Sequence, residues 1–106
     1  LWGTVDYAIM AELLTLITGR EWTEDEMGEV GTRVLHIGRA FNQREGFNRQ
    51  HDTVPKRVVR DALKSGPAAG QVIPHEAFED MLSQYYEVMG WNEDGTLPYE
   101  LIRELL

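Results

Sequence analysis

Cysteine is missing from all 106 residues. That excludes a disulfide framework, a thiolate metal site or iron–sulfur ligation within this stretch, and it suits a reducing compartment. Long apolar runs are missing as well. Nothing approaches the ~18 consecutive apolar residues of a membrane helix, and no charged-then-apolar signal segment opens the chain. Cations are scarce: 10 Lys and Arg stand against 18 Asp and Glu, a formal charge of −8. An acidic chain is poorly suited to nucleic acid, whose binders release counterions from a net basic face. Strand alternation, internal repeats and low-complexity tracts are also lacking. The expectation is a cytoplasmic chain with neither a membrane nor a nucleic acid as partner.

The length leaves room for one modest core, so residues 1–106 are expected to form a single domain or part of one. The first residue is Leu1 rather than Met. Tag removal, processing and excision from a longer polypeptide would each account for that.

What is present is a helical period. Val5, Ile9, Met10, Leu13, Leu14, Leu16 and Ile17 recur at three- and four-residue spacing, and Gly19 stands where a C-cap glycine belongs. Thr23 and Glu26 form a capping-box pair, and Trp22 and Met27 flank it at staple spacing. From there Met27, Val30, Val34, Ile37 and Phe41 draw a narrow apolar stripe that calls for a neighbour. Gly31 and Gly38 accompany it, and each costs roughly 0.5–1 kcal/mol relative to Ala inside a helix. Close approach of another helix is the simplest compensation.

Residues 42–54 show no sustained period and read as an ordered loop. Pro55, Pro74 and Pro98 each stand where a helix begins, separated by breakers at 65–70 and at Asn92–Gly95. Phe78, Met81, Leu82, Tyr85 and Met89 share one side of the fourth segment, and Leu101, Ile102 and Leu105 turn inward in the last. The fold class is therefore all-α, a compact multihelical domain of four to five helices.

The charge is unevenly placed. Residues 33–64 hold eight cations and three acids, a local +5, while the two flanks together carry −13. His36, His51 and His75 have no metal partner at i+3 or i+4, and Glu79 stands where a zinc-protease motif starting at His75 requires His. The stretch from Gly90 lacks the acids at the first and twelfth places of a calcium loop. No catalytic, cofactor-binding or metal-ligating residue is assigned. The remaining feature is the polar loop from Phe41 to Arg57. Long loops of this kind are usually functional or pinned by a neighbour. Arg44, Glu45, Arg49, Asp52 and Arg57 are its candidate residues. Arg44, Arg49 and Arg57 pair internally with Glu45 and Asp52, or the group reaches a neighbouring domain through charge-assisted bonds.

At this loop the chain resembles the C-terminal helical region of the tungsten-dependent aldehyde ferredoxin oxidoreductases. The matching positions are Phe41, Asn42, Arg44, Glu45, Gly46, Phe47, Arg49, Asp52, Pro55 and Arg57, with departures at His51 and Val54 where that family has Asp and Leu. Leu13-Leu14, Thr18-Gly19, Trp22-Thr23, Gly66-Pro67-Ala68, Gly70, Tyr85-Tyr86 and Gly90-Trp91 follow in the same order. The resemblance implies an enzyme that oxidises aldehydes to carboxylic acids with a tungsten bis-pterin cofactor, one [4Fe–4S] cluster and ferredoxin as electron acceptor. It also implies that the cluster cysteines lie upstream, so this stretch is scaffold and cavity wall, inactive alone, with the upstream domains of its own polypeptide as partner. Homo-oligomerisation is left open. The alternative is an independent helical interaction module that uses the basic loop to capture an acidic partner.

Overall fold

The computed structural model describes residues 6–105; Val5, placed above in the first apolar set, lies outside them. Helix α1 (Tyr7–Thr18) starts where the Asp6 carboxylate accepts the Ile9 N–H at 3.0 Å. It stops at Gly19, whose φ of +71° closes the end through an N–H bond to the Thr15 carbonyl. A short link folds back on α1: the Trp22 N–H donates to Thr15 Oγ1 at 2.9 Å, and the indole N–H donates to Thr18 Oγ1 at 3.1 Å. Helix α2 (Glu24–Arg44) opens with the expected reciprocal capping box between Thr23 and Glu26. At 21 residues it is about 30 Å long and forms the spine of the molecule.

The remaining elements attach to that spine. A 3-10 turn (Arg49–His51) leads to the short α3 (Lys56–Arg60), then α4 (His75–Met89) and α5 (Tyr99–Leu105). Among the described residues there are five α-helices and no strand, as the all-α expectation required. Helices α1 and α5 both pack on α2. Arg33 of α2 donates to the Glu104 and Leu105 carbonyls at 3.1 and 2.9 Å, placing a cation on the negative end of α5. Between α3 and α4 the chain closes on itself, with the Leu63 N–H bonded to the Gln71 carbonyl and the Gly70 N–H to the Leu63 carbonyl. Residues 55–73 thus form an arm.

Two expectations need correction. The α2 helix runs on to Arg44, so Asn42, Gln43 and Arg44 are helical and the loop is shorter than 42–54. The side chain of Gln43 explains the extension, because its Oε1 accepts the Leu97 N–H at 2.7 Å and ties the last turn to the segment before α5. The apolar stripe of α2 also lacks its neighbour among the described residues. Val34 is 61 % exposed and Phe41 56 %, and a Cβ built on Gly31 or Gly38 meets nothing within 4 Å. On α4, likewise, Met81 and Tyr85 turn outward, and Tyr86 is the side chain that goes in.

The outline is correspondingly open. The radius of gyration is 18.1 Å, against about 13 Å for a compact chain of this size. The accessible surface is 8580 Å², where a 12 kDa globule exposes roughly 6000 Å². Among the described residues the apolar core consists of Ala11, Tyr86 and Leu97. Among the described residues the apolar faces are formed but stay open.

Candidate functional site

The loop after α2 is built from local bonds. Gly46, at φ +91°, turns the chain out of the helix, and the Phe47 N–H reaches the Asn42 carbonyl at 2.9 Å. Asn48 then caps the 3-10 turn: its Oδ1 accepts the Gln50 N–H, and its own N–H donates to His51 Nδ1 at 3.2 Å. The Phe47 and His51 rings lie 4.8 Å apart. This turn sets Arg49 and Asp52 three residues apart and sends them to different elements.

Asp52 meets Arg39 of α2. The guanidinium donates twice to the carboxylate, Nη1 to Oδ1 at 2.8 Å and Nη2 to Oδ2 at 2.5 Å. Its Nε donates to the Gly95 carbonyl at 2.6 Å. The Tyr86 hydroxyl of α4 donates a hydrogen bond to Asp52 Oδ2. Arg39 is buried, and its guanidinium stands 4.9 Å from the Trp91 ring and 5.8 Å from that of Tyr86. A buried charge is tolerable when it is paired and hydrogen-bonded, and here each guanidinium nitrogen has a partner. Gly95, at φ +78°, is required by the same geometry: a Cβ there would stand 2.8 Å from the Tyr86 hydroxyl and overlap the Arg39 guanidinium.

Arg49 anchors the other end. Its Nη2 donates to Glu79 Oε2 at 2.8 Å, to Ser83 Oγ at 2.9 Å and to the Glu79 carbonyl at 3.1 Å, all on α4. Nη1 donates to the Glu93 carbonyl, and the backbone N–H of Arg49 donates to the Asp94 carbonyl at 2.8 Å. The loop, α2, α4 and the 92–97 turn are therefore held by one clasp.

The electrostatics follow. Burial pushes the Asp52 carboxyl up, but the bonds from Arg39 and Tyr86 outweigh it and hold the group below its ordinary 3.8. Burial and the bond to Asp52 together push the Tyr86 phenol up to about 12. Neither group is poised to exchange a proton near neutrality. Asp52 already accepts three donors from two helices, so what the arrangement does is hold those elements together.

Of the five candidates from the sequence, the clasp contains Arg49 and Asp52. Arg44 and Glu45 form an exposed pair at 3.1 Å on the surface, the kind worth little. Arg57 is exposed on α3, apart from the others. The internal pairing expected among these five is corrected on two counts: Asp52 is taken by Arg39, and Arg49 by Glu79. Sequence reasoning missed Arg39, Glu79, Tyr86 and Gly95. Arg39 carried a signal, since positions 35, 36, 42 and 43 are Leu, His, Asn and Gln, leaving this helical arginine without an acid at i±3 or i±4.

His36 Nε2 is 3.2 Å from the Met89 carbonyl, and His75 lies 3.9 Å from Glu79 on α4. Among the described residues no three His, Cys, Asp or Glu side chains are grouped to hold a metal ion, and no helix is long and apolar enough to cross a membrane.

Residues 1–106 match the family described as aldehyde ferredoxin oxidoreductase, domains 2 and 3. The chain belongs to that family. It is 33 % identical over 104 residues to the tungsten-containing aldehyde ferredoxin oxidoreductase of Pyrococcus horikoshii, covering 97 % of this chain and 16 % of that protein. The Pyrococcus furiosus enzyme of the same name gives the same identity and coverage. An aliphatic sulfonate oxidoreductase, WOR-like subunit, from Pyrococcus furiosus is 31 % identical over 94 residues, 84 % of this chain and 14 % of that protein. The chain thus spans about one sixth of the length of the curated relatives it matches.

Proposed function

We propose that residues 1–106 act as one helical unit of a tungsten- and pterin-dependent oxidoreductase that converts aldehydes to carboxylic acids and passes the electrons to ferredoxin. In this reading the unit is scaffold and cavity wall, and it works in the cytoplasm against the upstream domains of its own polypeptide. Family membership supports the reaction class. The observation that supports the scaffold role is the open apolar surface of α1 and α2, where Leu16 and Ile17 are 74 % and 78 % exposed. Contiguous apolar surface of this kind marks an interaction face.

The residues present do not fit an iron–sulfur cluster, since the chain has no cysteine to hold one. No step of the reaction is assigned to them, and in this reading the cluster ligands lie elsewhere in the polypeptide. What these residues contribute is position. The bonds of Arg49 and Asp52 support an anchored loop, while Arg44, Glu45 and Arg57 remain exposed for an interdomain contact. Aldehyde is preferred over sulfonate as substrate because the aldehyde oxidoreductases match more of this chain.

The reading is tested on the natural polypeptide by elemental analysis and by dye reduction with aldehydes. Bound tungsten, bound iron and aldehyde-dependent reduction are expected. A protein with neither metal that leaves aldehydes untouched contradicts it.

A further inference from the structure

The eight cations of residues 33–64 divide into two sets. Four are engaged within the fold: Arg33 on the α5 carbonyls, Arg39 on Asp52, Arg44 on Glu45 and Arg49 on Glu79. The other four, Lys56, Arg57, Arg60 and Lys64, all fall on the arm and all are exposed. Among the described residues no carboxylate comes within ion-pair reach of any of them. Asp61 is the one acid between 56 and 64, so this ridge carries +3 on a chain of −8. Beside it lies a groove of about 550 Å³ floored by Val58, Leu63, Val72 and Ile73, with Arg57 and Lys64 at its rim. Lys56 and Lys64 are also the only lysines of the sequence.

The backbone of the arm is equally detached. Its bonds run from Leu63 to Gln71, Gly70 to Leu63 and Ala69 to Gly66, and among the described residues no hydrogen bond or ion pair joins 55–73 to the rest. The clasp fixes its neck. Asp52 is held by Arg39 and Tyr86 before the arm, Glu79 by Arg49 after it, and Thr53 and His75 border one cleft. Beyond that neck, nothing bonds the arm to the unit that carries it. Four like charges held together repel one another until carboxylates meet them, and no carboxylate of residues 6–105 does so.

The occupant follows from length and charge. The stretch matched here is 16 % of the length of its relatives, and surfaces between domains of one chain are more polar than permanent subunit interfaces. We propose that the arm, residues 55–73, is an internal strap that lies on an acidic surface elsewhere in the same polypeptide. Carboxylates of that surface pair with Lys56, Arg57, Arg60 and Lys64, and an apolar side chain enters the groove. A network of charges around an apolar floor holds where an isolated surface pair would not. The inference rests on the reading above, in which this unit works against the rest of its polypeptide, and it names the chemistry of the surface that the arm meets.

The test treats the natural polypeptide with a zero-length carbodiimide, which joins a lysine only to a carboxylate in contact with it, and maps the links by mass spectrometry. Both lysines of this stretch lie on the arm, so every lysine link from it reports on the arm. Lys56 and Lys64 are expected to link to Asp or Glu side chains outside residues 1–106. In a mixture of isotope-labelled and unlabelled copies, each linked pair should carry a single label. The variant R57E/R60E, checked for unchanged circular dichroism, should lose about tenfold of the link yield, while R103E on α5 should keep it. No link outside 1–106, pairs of mixed label, or equal yields from the parent and R57E/R60E each overturn the proposal. Two measurements alongside judge the reading it rests on. Absence of bound metal and of aldehyde-dependent dye reduction removes the oxidoreductase, and free oxidation of Leu16 and Ile17 removes the scaffold role, while the links still judge the arm.

Discussion

At the scale of single residues, the account turns on Arg39. Its guanidinium closes three contacts at once, to both oxygens of Asp52 and to the Gly95 carbonyl. Replacing it with Met keeps the stem but leaves the Gly95 carbonyl without its donor and Asp52 with the Tyr86 hydroxyl alone. Removing one partner of a buried pair costs more than the pair contributes, so Arg39→Met is expected to destabilise the natural polypeptide by about 2–4 kcal/mol in urea unfolding. A loss below about 0.5 kcal/mol, the range of an ordinary surface change, contradicts the clasp. The pH dependence has a definite sign. Asp52 sits below its ordinary 3.8 in the fold, so its stabilisation is complete above that value and is lost as pH falls through the lower, folded value. The melting temperature should therefore fall on acidification below pH about 4. Asp52→Asn should start lower and lack that component; an identical acid slope in both proteins contradicts the assignment.

At the scale of elements, much was legible. The Thr23–Glu26 box, the glycine caps at Gly19 and Gly90 and the turn at Asn92–Gly95 were all readable, because each depends on residues within a few positions of one another. The clasp was not. Arg39 and Asp52 are 13 apart, Asp52 and Tyr86 34 apart, and Arg49 and Glu79 30 apart, so no local spacing encodes those pairs. The α2 stripe shows a different limit: its period was right, yet the face it predicts has no cover among the described residues. Gly38 makes that testable. With nothing within 4 Å of a Cβ there, Ala should stabilise the helix by roughly 0.5–1 kcal/mol if the face stays open. If another part of the natural polypeptide packs closely on α2, Gly38→Ala should instead lower the melting temperature. The account expects the decrease; an increase contradicts it.

At the scale of the whole molecule, extents of 51 × 38 × 21 Å and a core of a few side chains describe a layer rather than a globule. Such a layer lacks the buried area to offset the conformational entropy of ordering its chain. The relatives are about six times as long as the stretch matched here, and in the proposed reading the rest of such a polypeptide supplies the missing burial. The central claim is that the apolar faces of α1 and α2 are covered in the natural polypeptide. Hydroxyl-radical footprinting of that polypeptide reads it side chain by side chain. The account predicts that Leu16, Ile17, Val34 and Phe41 are oxidised as slowly as the buried Tyr86 and Leu97. Oxidation of those four at the rate of freely exposed side chains would contradict it.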